Sequence, residues 1–216
     1  MMLYAWRRLC DDVIDGQHLG FSRRPVAEQP APMERLNHLV IETLRALDGD
    51  TGLHPAYLSM ADVVRRHALP TRLLIEHLEG YRMDVGETRY ETIEETLSYC
   101  YRVAGVVGVM MAIIMGARGD RALDRASDLG IAFQLTNIAR DIVEDARLGR
   151  VYVPAEWLTE AGLEPRDLTD PARRDEVAGL AMRLVDFAEP YYSSSLVGLS
   201  ALPARSAWAV ATAHGA

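Results

Sequence analysis

Carboxylates recur at four-residue spacing in two segments that otherwise read as apolar helices. Asp11 and Asp15 lie in "YAWRRLCDDVIDG", residues 4 to 16, and Asp141 and Asp145 lie in "LGIAFQLTNIARDIVEDARLGR", residues 129 to 150. On an α-helix such a pair shares one face. Paired acids on one face suit either a solvated surface or a divalent cation. In the first segment Tyr4, Arg8, Asp11 and Asp15 form one stripe, with Asp12 beside it and Leu3, Trp6, Leu9, Cys10 and Val13 opposite. Taken alone, that helix reads as one that turns its charges to water.

The second segment carries more. Gln134, Asn137, Asp141 and Asp145 form its stripe, flanked by Leu129, Ile131, Phe133, Leu135, Ile138 and Ile142. A helix apolar over most of its circumference is expected to be buried, and buried carboxylates need cations. Arg140 and Arg147 could supply them as salt bridges. The alternative is a metal: two aspartates and an amide oxygen are hard, all-oxygen donors of the kind Mg2+ prefers. No His or Cys joins them, which argues against zinc. Two such stripes facing each other across a cavity would repel unless several Mg2+ ions bridged them to an anion. A diphosphate is the expected anion, with arginines pairing to its oxygens bidentately.

Along the chain, helical periodicity dominates and no alternating run is long enough for a sheet. The fold class is all-α. Helices are expected at about 1–15, 34–47, 55–67, 71–84, 93–116, 121–147, 173–199 and 204–213. Thr71 after Pro70, and Thr92 with Glu95, read as helix starts, the latter pair as a capping box. The Pro-rich "RRPVAEQPAPME" reads as a loop, and "LGRVYVPAEW" as an extended crossing between helices. A single domain over 1–216 is expected. Both ends read as cut, residue 1 entering a helix in progress and "SAWAVATAHGA" stopping inside an apolar pattern.

Composition excludes several functions. The net charge of −8 argues against a sequence-independent nucleic-acid binder. All 23 basic residues are arginine, so there is no P-loop lysine and no Schiff-base lysine. Cys10 and Cys100 lack metal-ligand spacing and read as free buried thiols. The longest apolar run, residues 103 to 117, is shorter than the ~20 residues of a membrane-spanning helix and reads as a core helix. Charges at Arg7 and Arg8 leave no room for a signal-peptide core. A cytoplasmic protein is expected.

"YAWRRLCDDVID", "EHLEGYRMDV", "YCYRVAGVVG", "FQLTNIARDIVEDA", "GRVYVP" and "RSAWAVATA" follow one another in an order and spacing that resembles the head-to-head prenyl synthases. That family includes squalene and phytoene synthases, and the resemblance leans to bacterial members of carotenoid biosynthesis. It runs through essentially the whole chain. It implies a class I isoprenoid synthase bundle of helices with a central cavity, two geranylgeranyl diphosphates as substrates, and Mg2+ (or Mn2+) at both acidic motifs.

Residue by residue, the resemblance implies metal ligation by Asp11, Asp15, Asn137, Asp141 and Asp145. Tyr4, Arg8, Gln134 and Arg140 match positions that contact the substrate or its diphosphate, Arg8 joining the four aspartates as the catalytic set. Val103, Ala104, Gly105 and Gly108 match the wall of the prenyl channel, the two glycines leaving room for a tail. On the residues alone, the glycines read as close helix packing, and the two readings are compatible. Tyr152 matches a flap over the cavity, and on its own reads as a loop tyrosine packed on a helix. Arg7 and Gly16 depart from the family pattern, which commonly has cysteine and an extra aspartate there. The implied reaction ends in proton loss to phytoene, with no NADPH expected. A C30 enzyme making squalene or dehydrosqualene, or a non-catalytic helical remnant, are the alternatives. A lipophilic substrate implies contact with a membrane surface; nothing in the sequence speaks to oligomeric state.

Overall fold

The computed structural model describes residues 2–14, 17–18, 22–23 and 30–198. Asp15 and the helix expected at 204–213 lie outside the described residues. The chain divides into two compact units, Met1–Gly86 and Glu87–Ala216, and each is described by itself.

The first unit contains α1 (Met2–Ile14), α2 (Pro32–Leu47), α3 (Pro55–His67) and α4 (Thr71–Val85). Its extended structure among the described residues is a two-residue antiparallel pairing of β1 (Gln17–His18) with β2 (Ser22–Arg23). Leu3, Trp6, Cys10 and Ile14 recur every three or four residues on α1 and are buried, the pattern of a helix with one core-facing side. The Trp6 indole N–H donates to the Thr43 hydroxyl of α2 at 3.1 Å, both groups fully buried. An Arg35 guanidinium N–H on α2 donates to the Ile14 carbonyl at 2.7 Å, satisfying an orphan acceptor at the end of α1. On α3 the His54 ring accepts from the Ala56 N–H, with Pro55 in the first turn. α4 starts at Thr71 after Pro70, as expected; Pro70 occupies the cap position without a side-chain cap bond.

The second unit runs through α5 (Ile93–Cys100), a π-turn (Tyr101–Gly105), α6 (Val106–Ile114), α7 (Asp120–Arg147), α8 (Ala155–Glu160) and α9 (Arg174–Gly198). Two 3-10 turns, Pro165–Thr169 and Pro171–Arg173, precede α9. Residues 93–114 form 22 helical residues, close to the expected 93–116, and are long and apolar enough by length and composition to cross a membrane. One face of that run packs on α7. A Cβ at Gly108 would stand 2.1 Å from the Ala126 carbonyl oxygen, and a Cβ at Gly130 would stand 2.3 Å from that of Ala104. A Cβ at Gly105 would meet the Ser127 hydroxyl at 3.0 Å. Gly105 and Gly108 thus pack closely against α7, as one of their two compatible readings expects.

The capping box at Thr92 is also replaced. Thr92 makes no side-chain cap; the Ile93 N–H donates instead to the Glu156 carboxylate of α8 at 3.0 Å, and Glu95 accepts from the Glu91 N–H at 2.6 Å. A long-range carboxylate thus serves the first amide of α5, and the Glu95 carboxylate reaches back to Glu91 instead of to Thr92. The crossing at 148–157 gives way to α8 after Pro154, six residues being too few for a periodicity to show. α9 continues through Pro190, which removes one helical hydrogen bond. Cys10 and Cys100 are free and buried, and burial raises both thiol pKa values.

The glycine contacts give a paired prediction. Gly108→Ala should lower unfolding stability by about 2 kcal/mol, the usual cost of forcing a methyl into a packed interface. Gly179→Ala, on an exposed turn of α9 with nothing within 4 Å, should raise it by roughly 0.5 kcal/mol. Urea denaturation measures both, and equal effects would contradict the packing account.

Candidate active site

In the first unit the acidic stripe rides on α1. Tyr4 is 65% exposed and Arg8 is half-buried. The Arg8 guanidinium lies 3.4 Å from the Asp12 carboxylate, so the off-stripe acid has a charged partner one turn away. Asp11 is half-buried and accepts a short hydrogen bond from the Tyr81 phenol of α4. Burial, and then the Asp11 charge, push the Tyr81 phenol well above its ordinary pKa, so the phenol keeps its proton and is the donor. Tyr81 was overlooked as a site residue. Its signal was present: Leu74, His77, Leu78 and Tyr81 recur at helical spacing, which sets a hydroxyl on the inner face of α4.

In the second unit the stripe rides on α7, whose buried seam is Gly130, Ala132, Leu135, Ile138 and Ile142. Gln134, Asn137, Asp141 and Asp145 are half-buried rather than enclosed. Leu129, Ile131 and Phe133 are also only partly covered, so the helix is apolar over much of its surface without being buried on all sides. Val103 and Ala104 of the π-turn are half-buried as well. The Arg140 guanidinium meets both oxygens of Asp141, at 2.7 and 2.5 Å, and holds that carboxyl below its ordinary pKa. Of the two expected salt-bridge partners, Arg140 is thus the one paired to an acid of the stripe. A polar seam lies further along α7: the Thr136 and Tyr192 hydroxyls share a hydrogen bond at 3.0 Å, and the Ser194 hydroxyl bridges Arg125 and Asp128.

Tyr152 is a buried anchor. Its ring stacks on Tyr99 at 4.7 Å with planes 19° apart, and Tyr90 lies 6.0 Å away. Its carbonyl accepts from the Thr96 hydroxyl at 3.0 Å. Tyr152 and Arg150 share a small hollow with Asp145, which places the loop tyrosine next to the last acid of the stripe.

Among the described residues no three His, Cys, Asp or Glu side chains converge on one point. The donor chemistry nonetheless fits Mg2+: Asn137, Asp141 and Asp145 offer only oxygens, and Mg2+ commonly takes one or two carboxylates, completing its shell with water and substrate phosphate. That Asp141 already holds a cationic partner shows that its place on α7 accommodates positive charge.

The squalene/phytoene synthase family matches residues 1–216, the whole chain. The chain belongs to the squalene/phytoene synthase family. Among relatives in this family, the phytoene synthase of Pseudescherichia vulneris is 53% identical over 99% of this chain and 69% of its own length. The 15-cis-phytoene synthase of Enterobacter agglomerans is 54% identical over 99% of this chain and 72% of its own. Among solved structures of the family, the squalene synthase HpnC of Alicyclobacillus acidocaldarius superposes with a TM-score of 0.83 at 26% identity, covering 99% of this chain and 76% of that one. A dehydrosqualene synthase gives a TM-score of 0.77 at 28% identity, covering 94% and 67%. These agree with the all-α isoprenoid synthase fold expected from the sequence.

Tyr152→Ala should destabilise the second unit by about 3 kcal/mol through loss of the buried ring. Tyr152→Phe, which keeps the stack, should cost about 1 kcal/mol. Chemical unfolding followed by tryptophan fluorescence separates them, and equal losses would show that the ring stack is not what anchors the loop.

Proposed function

We propose that this chain condenses two molecules of geranylgeranyl diphosphate head to head into phytoene, in the presence of Mg2+ and without a reductant. The observation that carries the reaction class is the α7 stripe, where oxygen donors that accommodate a cation stand beside partly uncovered apolar side chains. The choice of phytoene is supported by relatives 53% and 54% identical that are named phytoene synthases.

Asp141 and Asp145, with Asn137, would hold Mg2+ on α7, and Asp11 of α1 would do so with Asp15, which follows α1 in the sequence. Bound there, Mg2+ offsets the negative charge of the diphosphate as it departs. Arg8 and Arg140 carry guanidinium groups suited to phosphate oxygens. Ile131, Phe133, Val103 and Ala104 present apolar surface to a prenyl tail and keep water from the allylic cation left behind. The double bond of the second substrate attacks that cation, and proton loss closes a cyclopropane to give prephytoene diphosphate. Loss of the second diphosphate, rearrangement and a further proton loss yield phytoene. In total, two diphosphates and two protons leave, with no net electron transfer, which is why NADPH is not needed. The C40 product is a hydrocarbon, so work at the cytoplasmic face of a membrane belongs to the same proposal.

A C30 reaction on farnesyl diphosphate is the second reading, favoured by the squalene and dehydrosqualene synthase structures at 26% and 28% identity. Incubation with labelled geranylgeranyl diphosphate and Mg2+, with and without NADPH, decides between them. Phytoene in both arms is expected. A preference for farnesyl diphosphate, or an NADPH requirement, would sink the phytoene assignment. Asp141→Ala should reduce turnover about 100-fold or more while leaving circular dichroism and thermal midpoint close to wild type, because an exposed ion pair contributes little to stability. Removing Mg2+ with a chelator should abolish turnover in the unaltered chain.

A further inference from the structure

We infer that Tyr81 is a positioning residue for the first acidic stripe, holding the Asp11 carboxylate in the orientation in which it meets a divalent cation. The inference rests on the reading of Asp11 as a metal ligand and extends it to the residue that aims that ligand.

The contact spans 70 positions in sequence and joins α4 to α1, so it is a product of packing and not of local chain geometry. The phenol is 8% exposed, and its ring meets the His77 ring edge-on at 5.1 Å. His77, one helical turn earlier on α4 and itself buried, lies 5.8 Å from the Trp6 ring of α1. Trp6 is tied by its indole N–H to Thr43 of α2. The hydroxyl therefore stands at the end of a run of packed rings anchored on three helices, with little freedom to follow a wandering carboxylate. Groups that hydrogen-bond metal ligands fix ligand orientation in this way.

The chemistry of the donor matters as much as its rigidity. Asp12, the next residue, has a guanidinium partner that is 41% exposed and brings its own positive charge. A phenol brings none, so it orients Asp11 without cancelling the charge that would attract a cation. With Oδ1 accepting the phenol hydrogen bond, chelation of one ion through both carboxylate oxygens is disfavoured. Mg2+ is small and strictly octahedral, whereas Ca2+ readily accepts a carboxylate through two oxygens. Tyr81 thereby favours the smaller ion at Asp11.

The test measures Mn2+ binding to the 216-residue chain by electron paramagnetic resonance, in the presence of inorganic diphosphate, with Ca2+ as competitor. Occupancy is counted per folded chain from circular dichroism. Tyr81→Phe keeps the ring and removes the proton. It should weaken Mn2+ binding about 10-fold, the lower end for loss of an orienting partner, and make Ca2+ a better competitor. Tyr57→Phe, which removes another buried hydroxyl from the same unit, should bind Mn2+ as wild type. Asp11→Ala should weaken binding at least as much as Tyr81→Phe, and the double variant no more than Asp11→Ala alone. Wild-type binding by Tyr81→Phe together with weakened binding by Asp11→Ala would overturn the role of Tyr81 and leave the metal assignment standing. Wild-type binding by Asp11→Ala would overturn the metal assignment and this inference with it. A Tyr81 effect that persists in the Asp11→Ala background would show that the phenol acts elsewhere, and overturn the inference by itself.

Discussion

The backbone of α7 comes against the backbone of the π-turn and α6 because Gly108 and Gly130 carry no side chain where the two chains meet. A methyl at either glycine would be 2.1 to 2.3 Å from a carbonyl oxygen on the facing helix, well inside van der Waals contact. That approach fixes the rotation of α7 about its axis, and rotation decides which residues form its seam and which remain partly open. With Leu135, Ile138 and Ile142 packed inward, the positions of Asn137, Asp141 and Asp145 on the accessible side follow from helical geometry. The π-turn at Tyr101–Gly105 belongs to the same constraint, since a wider helical turn shifts the phase of the side chains that follow it. Site and core on this unit are two consequences of one contact.

The helices that carry the acids were legible because their apolar residues repeat strongly and over many turns. α3, α4 and α7 begin and end within a residue of expectation for that reason. Short elements were not. α8 and the two 3-10 turns contain too few residues to repeat a pattern, and each begins at or just after a proline that reads equally well as a loop. α5 starts where expected, but its cap does not follow the local motif: its first amide is served by Glu156, 63 positions away, and no local motif can report such a partner.

Within the site, residue types were legible and partners were not. The stripes are visible as spacing. The phenol on Asp11, the guanidinium on Asp141 and the rings around Tyr152 are all tertiary or rotameric facts. Tyr152 illustrates the difference: its neighbours Tyr90 and Tyr99 come from a different stretch of chain, so a lone loop tyrosine gave no hint of the stack it completes. The expectation that α7 is enclosed on nearly all sides counted apolar residues correctly but treated every apolar side chain as covered. A helix that borders a lipophilic substrate has reason to leave some of them partly bare.

Arg140 is the chain neighbour of Asp141 and meets both of its oxygens, so it acts as a built-in counter-ion at very high local concentration. If Asp141 takes a divalent cation as proposed, a cation arriving alone would have to displace that guanidinium and leave it beside two positive charges. A cation arriving with a polyanion would offer the displaced arginine a new partner at the same moment. The free energy of occupation would then be shared between ion and anion, each raising the other's affinity by the same factor. One exposed ion pair would thus turn two binding events into a single concerted exchange.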